Sequence, residues 1–95
     1  MKRLLLMALL LVGSGCRRHR MSRDDCRLVL DRITEIELHE AGFRDPVLLA
    51  QRKAEFRTRF ATELVACQGR RVRSGALDCV RRARTSEALS HQCLR

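Results

Sequence analysis

Ser22-Arg23-Asp24-Asp25-Cys26-Arg27-Leu28-Val29-Leu30-Asp31-Arg32-Ile33-Thr34-Glu35-Ile36, running on to Gly42-Phe43-Arg44-Asp45-Pro46, holds a whole helix together with the start of the next. Ser22 is a capping residue, and the acids at 24 and 25 suit the positive end of a helix dipole. Cys26, Val29, Leu30, Ile33 and Ile36 recur at three- and four-residue steps with charged residues between them, which is one apolar stripe. Leu28 and Leu38 fall off it. The helix is expected to reach about Ala41, where Gly42 supplies the C-terminal cap.

Asp45-Pro46 opens the second helix, with an N-cap acid and proline at the first helical position. Its stripe reads Leu49, Phe56, Phe60, Leu64 and Cys67, with Lys53 filling the missing step, and Gly69 is the stop. A loop of four residues separates the two helices, so they are expected to pack as an antiparallel hairpin. Ser74 is placed to cap a third, short helix with Ala76, Cys79, Val80 and Ala83. Thr85 or Ser86 restarts a fourth with Leu89 and Cys93. No period-two alternation anywhere is long enough for a strand. The expected fold is all-α: a small helical bundle of two longer antiparallel helices and two short C-terminal helices, stapled by two disulfides, over residues 22–95.

Upstream lies Met1-Lys2-Arg3, an apolar run Leu4–Val12, and Gly13-Ser14-Gly15-Cys16. The run is too short to span a bilayer, which takes about 20 residues. A dibasic start, a short apolar stretch and small residues form an export signal. Residues 1–15 are therefore expected to be a cleaved signal peptide. Two cleavages at the same bond compete. A lipoprotein-type peptidase cuts before a Cys16 that already carries diacylglycerol, and an ordinary signal peptidase reads Gly13 and Gly15 as its small pair. The five cysteines, Cys16, Cys26, Cys67, Cys79 and Cys93, favour the first, because lipidation of Cys16 leaves four for two bridges. Residues 16–21 then read as a lipidated cysteine and a basic tether.

The ending Gly15-Cys16, with Ser14 before it, resembles the lipobox of small uncharacterised bacterial envelope lipoproteins. The family pattern prefers Leu where this chain has Gly13. The long capped helix, the Asp-Pro start and the Cys79-Val80…Leu89…Cys93 segment fit the same resemblance loosely. The resemblance implies lipidation (palmitate) at Cys16, a membrane anchor and a place in the cell envelope. Arg17, where Asp would retain a lipoprotein in the inner membrane, leans towards the outer membrane, facing periplasm or surface. The resemblance implies no activity.

Four cysteines allow three pairings. Along straight helices, Cys26 lies about 20 Å from the hairpin loop and Cys67 about 30 Å, whereas bridged Cα atoms sit about 4.4–6.8 Å apart. A third helix descending from the level of Cys67 lowers Cys79 towards Cys26, and a fourth climbs back. Cys26–Cys79 with Cys67–Cys93 is thus the expected pairing, with Cys79–Cys93 and Cys26–Cys67 as the alternative. Zinc is disfavoured, because its structural sites use ligand pairs two to four residues apart.

Without residues 1–15, 80 residues remain, one small domain of the kind that needs staples. It carries 18 basic against 11 acidic residues, with arginine far exceeding lysine. No Trp or Tyr is present, which argues against a base-stacking nucleic-acid surface and an aromatic-rich interface. His39 reads as a helix-terminal histidine, and neither His19 nor His91 completes an H-E-x-x-H pattern with it. The serines and threonines lack a nucleophile-elbow context, and the paired acids read as solvated helix faces. No catalytic, metal or cofactor residue is expected, and no enzyme.

The candidate surface is the basic cluster Arg70, Arg71, Arg73, Arg81, Arg82 and Arg84, opposed only by Asp78; guanidinium groups grip phosphate and carboxylate bidentately. The expected function is a lipid-anchored interaction module for an envelope protein or anionic glycolipid. The alternatives are a passive structural surface lipoprotein and a non-lipidated secreted effector.

Overall fold

The computed structural model describes residues 18–94, so the leader and Cys16 lie outside the described residues. The described chain is mostly helical with one two-stranded sheet, in the order β1 (Arg18–Arg20), α1 (Arg23–Glu40), α2 (Pro46–Arg59), α3 (Ala61–Cys67), β2 (Arg71–Arg73), α4 (Ala76–Arg82) and α5 (Ser86–Ala88), which continues as a π-helical turn over Leu89–Cys93.

Caps decide where the helices start. The Ser22 hydroxyl accepts from the Asp25 N–H at 3.1 Å while the Asp25 carboxylate accepts from the Ser22 N–H at 2.9 Å, a reciprocal capping box. The Asp45 carboxylate accepts from the Val47 N–H at 3.0 Å, with Pro46 in the first turn. Thr85 caps α5 through the Ala88 N–H at 3.1 Å. Gly42, at φ +91°, turns the chain out of α1 into a left-handed conformation that other residues resist. Ser74 does not cap α4; Gly75, at φ +86°, precedes that helix and offers no side chain.

The expected second helix is two helices. Phe60, at φ −104° and ψ 27°, interrupts it. Just before the break the Thr58 hydroxyl donates to the Ala54 carbonyl at 3.2 Å, a back-bond that bends helices.

The core lies between α1 and the C-terminal elements. Ile36, Val80, Ala83, Leu89 and Cys93 are buried together, with Val29, Ile33, Cys79 and Ala88 against them. Thr34 is fully buried beside its own helix, its hydroxyl donating to the Leu30 carbonyl at 2.9 Å. By contrast, neither α2 nor α3 buries a single residue. What ties α2 to α1 is charge: Lys53 pairs with Glu35, and Arg57 grips Asp31 with two nitrogens. Such half-exposed pairs contribute about 1 kcal/mol each at most.

The expected disulfide pairing is corrected. Cys26 bonds to Cys67 and Cys79 to Cys93. The contacts between the two arms show why the axial estimate failed. Glu35 meets Lys53 and Asp31 meets Arg57, so four residues on α1 match four on α2. From Asp31 to Cys26 is five residues, yet from Arg57 to Cys67 is ten. The break at Phe60 absorbs the surplus, so Cys67 arrives level with Cys26 at a Cα separation of 6.1 Å.

Two further corrections concern the N-terminal side. The basic tether is in part structure: residues 18–20 form β1, antiparallel to β2, and Met21 beyond them is 5% exposed. The folded unit therefore includes Arg18–Met21, and the fold is not purely helical.

Non-reducing peptide mapping is expected to return Cys26–Cys67 and Cys79–Cys93. Closing a 41-residue loop removes about 4 kcal/mol of unfolded-chain entropy, and closing a 14-residue loop about 3 kcal/mol. The Cys26→Ala/Cys67→Ala variant should lose about 4 kcal/mol in urea unfolding, close to the whole net stability of a domain this size.

Acid should also unfold the domain. The Ser22 N–H and then His19 hold the Asp25 carboxyl below its ordinary value. For Glu35, burial pushes the carboxyl up, but bonds from Lys53 and Arg32 together outweigh it and lower it. The Ser86 hydroxyl and N–H lower Glu40. Groups with depressed folded values lend stability that is complete above their unfolded values and is lost as pH falls through the folded ones. Urea midpoints should thus hold between pH 7 and about pH 5 and fall below about pH 4, less steeply in Glu35→Gln.

Candidate functional site: a four-arginine ribbon

The pairing of β1 with β2 gathers arginines from two distant parts of the chain. The register sets Arg18 opposite Arg73, His19 opposite Val72 and Arg20 opposite Arg71. Side chains alternate between the faces of a strand and directly paired residues share a face. One face of the ribbon therefore carries Arg18, Arg20, Arg71 and Arg73, and the other His19 and Val72. Exposure follows this division except at His19, which is itself exposed. The four arginines are exposed, Val72 is half-buried, and Met21, next on its side of the ribbon, is buried.

Hydrogen bonds fix the ribbon to the helices. Met21 N–H donates to the Arg70 carbonyl and Gly69 N–H to the Met21 carbonyl, both at 2.8 Å. Gly69, at φ +83°, makes the turn that leads from α3 towards β2. His19 Nε2 lies 2.7 Å from an Asp25 carboxylate oxygen, so the strand is anchored on the capping box of α1.

Side chains two apart along a strand are about 6.8 Å from one another, and paired ones about 5 Å at Cβ. Four guanidinium groups on such a grid repel, and like charges directly opposite each other destabilise a sheet. Among the described residues, no carboxylate lies within salt-bridge distance of any of the four; the paired cations are His19, Arg32, Arg52, Lys53, Arg57 and Arg81. Arg73 donates to the Gln92 carbonyl at 3.0 Å, a neutral partner.

Charge is segregated along the chain in the same sense. Residues 24–67 hold seven basic and nine acidic side chains, whereas residues 17–23 and 68–95 hold eleven arginines and two acids. The ribbon joins these two basic segments.

The six arginines expected as one patch do not line a single groove. Arg70, Arg71 and Arg73 line a groove of about 570 Å³ together with Arg18. Arg82 and Arg84 border another, beside the Cys79–Cys93 bridge. Arg84 also faces a cleft with Arg32, Arg44, His39 and Glu40. Arg81 pairs with Asp78 at 3.0 Å on the surface of α4.

Arg18 and Arg20 were not among the expected site residues. Their signal is the polar alternation Arg18-His19-Arg20, repeated as Arg71-Val72-Arg73, which a search for apolar alternation passes over. His39 and His91 are exposed, and among the described residues no three His, Cys, Asp or Glu side chains gather as metal ligands do. A second, apolar groove of about 410 Å³ runs between α1 and the second arm, lined by Val29, Leu30, Ile33, Phe56, Phe60 and Leu64. No helix among the described residues is long and apolar enough to cross a membrane.

Repulsion across the ribbon is measurable. Arg71→Glu sets a carboxylate opposite Arg20 and should raise stability by up to about 1 kcal/mol. That is a rise of about 4–8 °C in Tm at low salt for a domain this small, and it should shrink as salt is added.

No protein-family model, no curated protein and no solved structure matches this chain.

Proposed function

We propose that the chain is an exported envelope protein, anchored by lipid on Cys16, whose folded part is an interaction module offering a basic surface to an anionic component of the envelope. In this reading the module is a small disulfide-stapled helical bundle, with α1 antiparallel to the α2–α3 arm and the short α4 and α5 following, that binds and performs no catalysis. The anchor places it at the outer membrane, facing periplasm or surface.

One observation carries the reading. The two disulfides take up Cys26, Cys67, Cys79 and Cys93, which leaves Cys16 as the odd cysteine of the five, directly after the small residues of an export leader. Disulfides form and persist in oxidising compartments, outside the cytosol. A lipidated Cys16 uses the remaining thiol without leaving a reactive one. The basic ribbon supports the binding half of the reading, since its arginines stand without acidic partners among the described residues.

Intact mass spectrometry of the cell-associated protein tests it. The expected species begins at Cys16, carries acyl chains and lacks four hydrogens for two bridges. Cys16→Ser should move the protein from the membrane fraction to the soluble one. Recovery of the uncleaved chain from the cytosol with reactive thiols would refute export and anchoring together.

A further inference from the structure

We infer that the ribbon face formed by Arg18, Arg20, Arg71 and Arg73 is a docking surface for the phosphate groups of anionic lipids in the membrane that carries the protein. The inference rests on the proposed anchoring only for the nearness of that membrane.

Three features of the ribbon point to this occupant. The first is chemical. Guanidinium groups bind phosphate bidentately, and four of them on a hydrogen-bonded ribbon present a fixed array rather than four independent side chains. The like-charge pairs Arg18/Arg73 and Arg20/Arg71 work against the fold, and no side chain among the described residues neutralises them. An external polyanion does.

The second feature is amphipathic. Beside the arginine face, a groove bordered by Arg18, Arg70, Arg71 and Arg73 reaches the apolar Val29, Val72 and Leu94 that back the ribbon. A phosphate-bearing lipid has both a charged head and an apolar body.

The third is position. Arg18 follows Cys16 by two residues, a reach of at most about 7 Å. That is shorter than the screening length of about 8 Å at physiological salt. An acyl group on Cys16 thus holds the ribbon within the electrostatic field of the bilayer surface, where each arginine strengthens attachment about fivefold.

The test uses the processed Cys16→Ser chain, with removal of residues 1–15 checked by mass, so that no acyl group contributes to binding. Sedimentation with vesicles containing phosphatidylglycerol is compared with vesicles of phosphatidylcholine alone. Binding is expected only to the anionic vesicles, falling steeply with added salt. Arg20→Gln/Arg71→Gln should lower the partition coefficient about 25-fold, at fivefold per arginine. The same variant should melt no lower than its parent, since it removes a repulsive pair; a merely structural role would lower both. Arg81→Gln/Arg82→Gln removes equal charge away from the ribbon and should weaken binding much less.

Equal binding to both vesicle types, or equal losses in the two double variants, overturns the proposal. So does abolition of binding by millimolar inorganic phosphate at constant ionic strength, which assigns the site to the free anion. Tighter binding to a duplex nucleic acid or a phosphopeptide than to the vesicles overturns it as well. Acylation is read separately, from the mass of the unaltered protein, so either reading can fail while the other stands.

Discussion

The bridge between Cys26 and Cys67 is the constraint from which the rest of this structure follows. It closes the open end of the α1–α2–α3 arm pair, at a Cα separation of 6.1 Å. The second arm fully buries no residue, and its polar side-chain ties to α1 are two partly buried ion pairs. Fixing each backbone residue costs about 1–2 kcal/mol of entropy, far more over the length of that arm than the pairs return. Closing the loop in the unfolded chain reduces what must be spent. The bridge also sets the level at which the chain leaves α3. Gly69 then turns it back beside Met21, and β2 meets β1.

Helix α1 is the wall shared by two unlike halves. On one side Val29, Ile33 and Ile36 complete the dry core with α4, α5 and the π-helical turn. On the other, Asp31 and Glu35 meet the basic residues of α2. Carboxylates are concentrated in residues 24–67, where they satisfy the arginines and lysine of the same arms. Among the described residues outside those limits, Arg81 pairs with Asp78 but the ribbon arginines have no acidic partner, and the sheet brings the two segments together. A fold with its charges interleaved throughout would have solvated the same net +7 of residues 17–95 without any face of concentrated potential.

What the sequence disclosed was local. Ser22 with Asp25, Asp45 with Pro46, Thr85, and the glycines at 42 and 69 act within one turn of themselves, and their signals survive in the folded chain. What it concealed depends on contacts far apart in sequence. Arg59-Phe60-Ala61 contains neither glycine nor proline, so the break there is invisible to residue patterns, and the disulfide pairing that relied on a straight helix failed with it. The ribbon was hidden for a related reason. Each strand has three residues, and their alternation is of arginine with His19 or Val72, not of apolar with polar. Arg70, Arg71 and Arg73 were recognised as basic neighbours, but their companions Arg18 and Arg20 could be identified only through the register. Thr34 was hidden too, because its hydroxyl is satisfied within its own helix and can go where an apolar side chain would.

The dependence of the ribbon on the bridge links compartment to surface chemistry. In a reduced chain, Arg18–Arg20 and Arg71–Arg73 are two short basic stretches about fifty residues apart, and their mutual repulsion opposes pairing. An isolated two-stranded ribbon is marginal in water even without that repulsion. Oxidation of Cys26 and Cys67 supplies the missing free energy by holding the roots of both stretches in register, four to six residues from the strands. Formation of the four-arginine array is thereby coupled to formation of the Cys26–Cys67 bridge.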